Sequence, residues 1–496
     1  MAFRPRIVQK HKRARETPVR GGDIYMHLIP QSWSHLHILI SIFPSVGLIF
    51  VLGFYITGLA TKNDAIKRIC LVFLVVLGLL AIPTYWSGDR SMALLSQDSK
   101  ISQDVMNVHY GAGLVALAIL LITGGYALVE LWQRRSASHR SDRAMKVVLG
   151  LAGITLVMMI FVDEIGWEIN HHELQRVVPP ALAANATPQA WSHVHMILNH
   201  FPTVGYAMAL AFYIIALVIN NDVLKRSSLV VFVICSILGV PTYVTGAASM
   251  WALTVPPIPE ISKAVINAHR DMALATLFGF GFTGATAWIE LWRYRYIGRF
   301  SNTSLNLVLI FAIITLAIMA ETGHRGGQIN HPEIRVPTDV LPTDPTAGVS
   351  PALELLINNV IWFVPWQTVH FFGYTLLFAT VLAVTLRILG FWKSVPFSAV
   401  HRLLPLGLLA VLMNVFTGML MLLADTYRYV VNDYTFAPKI AFIPIGATAV
   451  LYFSLSDRLW KLKAGEDAPA AAKAVAVLVL VCWAGVIVCG RLLPYL

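Results

Sequence analysis

The sequence predicts an all-α, polytopic membrane protein of about twelve spanning helices, set out as three four-helix bundles of which the first two are a parallel tandem repeat. Three observations carry that prediction: a composition too apolar for a water-soluble domain, a ladder of apolar runs, and a motif-bearing block that occurs twice. Of 496 residues 57% are hydrophobic and 13% charged, and the mean hydropathy is +0.68, whereas soluble domains carry about 25% charged residues. Crossing about 30 Å of hydrocarbon takes about 20 helical residues. Runs of that length occur near 35–60, 67–87, 105–132, 145–163, 193–220, 227–247, 264–292, 304–322, 366–390, 401–424, 438–456 and 471–493.

Charge sets the expected topology. A formal charge of +11 would invite a nucleic-acid partner in a soluble protein, but here most basic residues fall in short loops between apolar runs, so membrane lipid and no nucleic acid is expected. The basic loops are 62–68, 133–146, 221–226, 293–299, 386–393 and 457–463, which the positive-inside rule assigns to the cytoplasm. Both termini are then predicted outside. The basic tail, residues 1–32, runs against the same rule and is outvoted by six loops; it docks on an acidic partner, folds back on the membrane or is disordered. The N-terminus lacks the apolar core of a cleavable signal peptide, so the first spanning helix is expected to direct insertion. Cys70, Cys235, Cys482 and Cys489 lie in apolar segments without a C-x-x-C-H or zinc spacing, which speaks against disulfides and covalently attached haem.

The repeat organises the first two thirds. Trp33, His35, His37, Phe43 and Pro44 match Trp191, His193, His195, Phe201 and Pro202 at an offset of 158, which also carries P-T-Y-W-S-G (83–88) onto P-T-Y-V-T-G (241–246). At an offset of 160, His109 becomes His269, and I-N-H at 169–171 recurs at 329–331. The expected units are 33–178 and 179–334, followed by an outer linker at 335–365 and a C-terminal bundle at 366–496. Phe-Pro in each first helix reads as a bend.

Imidazoles in hydrocarbon lose hydrogen bonds that lipid cannot replace, so each needs a partner. A lone intramembrane histidine is most simply a packing residue; histidines copied at matched depth on neighbouring helices point further, to a porphyrin clamped between two helices. His37 with His109 forms one such pair. In the second repeat two pairings are open, His200 with His269 and His195 with His324, and spacing does not choose between them. The iron ligands expected from depth are His37, His109, His200 and His269. Ile42 and Glu164 stand in the first repeat where the second has His200 and His324, and Glu164, Glu168 and His171 are expected to handle protons or line a quinol pocket. Glu130 and Glu290 are expected to pair with the basic loops.

With these residues the second repeat resembles a family of bacterial four-helix membrane proteins whose first helix reads H-P-x-x-x-H-F-P, whose third carries a histidine and whose fourth ends T-G-H-x-G-G. The likeness rests on His195, His200, Phe201, Pro202, His269 and Thr322 to Gly327, with Val or Met in place of the proline, and on His37, Phe43, Pro44 and His109 in the first repeat. It implies b-type haem, one to three per chain, in a bacterial inner membrane, with His195, His200, His269 and His324 as candidate cofactor contacts. The last third resembles a second bacterial membrane family through W-F-V-P-W-Q-T-V-H (362–370), L-R-I-L-G from Leu386, and Y-T-F-A-P-K (434–439), which implies a cytochrome b-like bundle. His401 starts its helix from the opposite side to His370, so those two cannot clamp one haem, and His370 is expected to line a quinone pocket or to pack.

The function expected is a membrane-embedded, b-type cytochrome-like electron-transfer subunit. It would link a quinol pool to a cytochrome c or metalloenzyme on the outer side, and any catalysis would be quinol oxidation or quinone reduction. No dinucleotide fingerprint, phosphate loop, nucleophile elbow or H-E-x-x-H is present. The rival readings are a non-redox anchoring subunit and, more remotely, a transporter.

Overall fold

The computed structural model describes residues 30, 32–96, 102–133, 142–170, 187–254, 262–331, 360–424 and 433–493. All regular structure among them is helical, and twelve helices are long and apolar enough to cross a bilayer. The chain is a multi-pass membrane protein. The spans are α1 (Trp33–Ala60), α2 (Asp64–Leu95), α3 (Gln103–Gln133), α4 (Asp142–Asn170), α5 (Thr187–Val218), α6 (Asp222–Thr254), α7 (Lys263–Ile297), α8 (Asn302–Asn330), α9 (Val360–Leu389), α10 (Phe397–Ala424), α11 (Asp433–Leu455) and α12 (Ala470–Leu492). Large apolar side chains such as Val157, Phe372 and Val218 remain exposed on the bundle, as a lipid-facing surface requires.

Local chemistry explains where these helices start and stop. Ser32 caps α1, its hydroxyl accepting from the His35 N–H at 3.1 Å. Asn63 and Asn221 sit at the same place in the two repeats and accept from Ile66 N–H and Leu224 N–H at 3.1 and 2.9 Å. They open α2 and α6 in the same way. The expected bend at Phe43-Pro44 takes the form of a π-helical turn, Phe43–Gly47, whereas α5 runs through Pro202 as continuous helix. Proline removes one intrahelical bond, and only the first repeat answers by widening the turn.

In each of the first two units successive helices pack side by side and the fourth returns against the first. The units meet through α1 and α5, and there equivalent residues touch one another. Phe54 stacks on Phe212 with ring centres 4.0 Å apart and planes 12° apart. Asn63 and Asn221 exchange amide contacts at 3.4 Å in both directions. Both pairs are separated by the repeat offset of 158, so the contact is isologous within a single chain, and a pseudo-two-fold axis runs along the helices.

The third group packs on the second through α6 against α11 and α7 against α10, burying Val240, Tyr243 and Val244 with Met419, Leu420 and Phe436. At the basic-loop end Trp288 Nε1 donates to Ser454 Oγ (2.8 Å), Trp292 Nε1 to the His401 carbonyl (3.1 Å) and Tyr296 Oη to the Ser398 carbonyl (2.6 Å). Buried Glu290 accepts from Arg293 Nη2 at 2.7 Å and from Ser301 N–H at 2.6 Å, holding the α7–α8 loop. Arg387 of L-R-I-L-G is fully buried and donates to the carbonyls of Val395, Lys463 (2.9 Å) and Glu466 (3.3 Å), tying two loops together.

Candidate functional site

Four histidines share one local construction. His37 Nδ1 donates to the Thr84 carbonyl (2.9 Å), His109 to Val162 (3.2 Å), His195 to Thr242 (3.0 Å) and His269 to Thr322 (2.9 Å). Each acceptor stands four residues before a glycine on the neighbouring helix: Gly88, Gly166, Gly246 and Gly326. In an α-helix the N–H of a residue bonds the carbonyl four positions back, so each glycine sits directly over the accepting oxygen. Lacking a side chain, it leaves the second lone pair open to the imidazole. A Cβ at any of the four positions would lie 2.8 Å from the histidine Cε1. Ser87 and Thr245, again equivalent, add hydroxyls at 3.4 and 3.3 Å from His37 and His195 Nδ1.

The consequence is chemical. An Nδ1 that donates to a carbonyl fixes the tautomer and leaves the Nε2 lone pair outward, the arrangement of metal-ligating histidines. No hydrogen bond engages Nε2 of these four residues among the described residues. The His37 and His109 rings lie side by side with centres 6.5 Å apart and planes at 85°. Imidazole nitrogen binds a first-row metal at about 2.0–2.1 Å and lies about 1.2 Å from its ring centre, so two rings on opposite sides of one ion stand about 6.5 Å apart. In such a pair both ring planes would contain the metal–nitrogen axis, so the twist between them would be free. The matching pair in the second repeat is His195 and His269, near enough to act on each other electrostatically. Among the described residues no group of three or more His, Cys, Asp or Glu could hold a bare metal ion. Two imidazoles with glycine beside each would suit a group that brings its own equatorial ligands, such as a porphyrin.

The other expected residues fall elsewhere. His200 does not share the construction: its Nδ1 meets the Met196 carbonyl of its own helix at 2.5 Å, and its ring stacks on Trp167 of the first repeat, 6.1 Å away and 19° from parallel. Of the second repeat's histidines, His195 and His269 are the two that share the construction. His324 is not opposite His195 either. It lies beside His35 across the boundary between repeats, centres 5.2 Å apart, with Nε2 3.0 Å from the Gln328 amide nitrogen. Trp167 also meets His193, at 6.3 Å. The inter-repeat boundary thus gathers His35 with His324 on one side and Trp167 with His193 and His200 on the other.

Of the expected proton-handling residues, Glu164 is exposed on α4, while the Glu168 side chain and all of His171 lie outside the described residues, as does the linker over 332–359. Its neighbour Asp163, which periodicity did not single out, is the carboxylate that turns inward, accepting from Ser45 in the π-turn. His401 is buried at the opposite, basic-loop end against Trp460 and Ser454. Sequence reasoning also missed the roles of Thr84, Thr242, Val162 and Thr322, because any residue can lend its backbone oxygen. The signal available was the glycine four positions on. No family model, no curated protein and no solved structure matches this chain.

Proposed function

We propose that this chain is a membrane-embedded electron-transfer subunit of the b-type cytochrome kind, carrying one haem between His37 and His109 and one between His195 and His269. The observation that carries the reading is a pair of tautomer-fixed imidazoles, 6.5 Å apart in the first repeat, whose Nδ1–carbonyl construction recurs in the second repeat at His195 and His269. Bound haem would supply one-electron chemistry at iron. The chain's own residues orient the rings and fix their tautomer through the Thr84, Val162, Thr242 and Thr322 carbonyls, and surround the site with apolar helices that exclude water. Both pairs lie toward the end away from the basic loops. By the positive-inside rule that end faces outward, where a cytochrome c or metalloenzyme would accept electrons drawn from a quinol pool. His35 with His324, rings 5.2 Å apart at the boundary between repeats and two residues from His37, would take a quinol's protons.

The test is the spectrum of the purified chain. Reduced-minus-oxidised absorption should show Soret and alpha bands of low-spin b haem, and His109→Ala and His269→Ala should each remove one haem. A colourless preparation of full helical content would return the protein to an anchoring role.

A further inference from the structure

The third bundle contains the same construction with one residue exchanged. His370 on α9 takes the part of His37 and His195: its Nδ1 meets Thr417 Oγ1 at 2.9 Å and the Asn414 carbonyl, and Asn414 again stands four residues before a glycine, Gly418. A Cβ on Gly418 would lie 3.4 Å from His370 Cε1. On the third helix of this bundle, where His109 and His269 stand in theirs, is Lys439. Its Nζ lies 3.2 Å from where a Cβ would fall on Gly490 of the fourth helix, as His109 and His269 lie against Gly166 and Gly326. Lys439 is near enough to act electrostatically on the His370 ring.

Lys439 makes no ion pair and no hydrogen bond among the described residues. An ammonium inside a membrane span without a counter-ion is costly and marks a functional site. A neutral amine has a lone pair and is a nitrogen donor to a metal, and a lysine amine readily changes protonation when buried. We propose that His370 and Lys439 form a third haem site with a mixed imidazole–amine axial pair; the inference rests on the haem reading of the two repeats. Ligation forms one Fe–N bond to Nζ and releases one proton from the Lys439 ammonium to solvent. Neither iron nor ligand changes oxidation state in that step.

The whole chain in detergent should hold three haems, and His370→Ala should lower haem per chain by one third. Lys439→Leu, which carries no donor atom, should open a coordination position, so that one reduced haem per chain gains carbon monoxide binding, while Lys439→His should restore a six-coordinate site that excludes it. Two haems in the wild-type chain, both removed by substitutions in the repeats, would overturn the third site and leave the repeats' reading intact. Lys439→Leu that gains no carbon monoxide binding would overturn the amine ligand. A chain without haem removes both readings. The count in the unsubstituted protein decides the matter even where a variant fails to fold.

Discussion

Gly246→Ala is the most direct probe of the histidine construction. The added Cβ would lie 2.8 Å from His195 Cε1. Ordinary contact begins at 3.4 Å, so the ring must retreat by about 0.6 Å, which carries its 3.0 Å bond to the Thr242 carbonyl beyond hydrogen-bond range at about 3.5 Å. The imidazole is at the far end of a flexible side chain and can move, but only by giving up the contact that fixes its tautomer. Losing such a supporting partner lowers metal affinity about 10–100-fold, equivalent to about 1.4–2.8 kcal/mol. Against this, alanine raises intrinsic helix stability by about 0.5–1 kcal/mol. Haem occupancy should therefore fall while the helical content and the melting temperature of the haem-free protein hold or rise. Gly125→Ala on α3, where a Cβ meets nothing within 4 Å, is the matched control and should change only stability. The assay is haem per chain by pyridine haemochrome, titrated against added haem. Full affinity in Gly246→Ala, equal to Gly125→Ala, would refute the claim that glycine is there to seat the ring.

Further expectations concern stability. Asn63→Ala and Asn221→Ala each remove a helix cap and should cost about 1 kcal/mol, read as similar drops in melting temperature; a large inequality would break the pseudo-symmetry of the interface. Arg387→Lys replaces a planar guanidinium that binds three carbonyls with one ammonium, and should destabilise by about 2–3 kcal/mol in thermal unfolding. Asp457, outside the spans, has its carboxyl held below the usual range by its hydrogen bond to Arg295. A depressed carboxylate stabilises the fold above its unfolded value of about 3.9 and loses that contribution as pH falls through the lower folded value. Because Asp457 is largely exposed the effect is small. Asp457→Asn should flatten the fall in melting temperature below about pH 4, and an unchanged profile would remove the ion pair's role in docking α7 on the third bundle.

Sequence by itself determined the class of protein, the span count and the duplication. Those follow from hydrocarbon thickness, from the cost of charge in lipid and from residue identity at a fixed offset, none of which needs a neighbour. It also brought His37 and His109 to the same depth, because rise per residue is constant along a helix. Tertiary structure alone decided which face of each helix meets which neighbour. That choice brought His195 within electrostatic reach of His269, set His324 beside His35, and brought Lys439 within electrostatic reach of His370. A five-residue difference between His195 and His200 turns a side chain by more than a third of a circle at about 100° per residue, and only packing records where that turn ends. The accepting carbonyls of Thr84, Val162, Thr242 and Thr322 are backbone atoms, present in every residue, so their selection depends on glycines of the adjoining helix. Two helices have to be in contact before either half of that arrangement has a meaning.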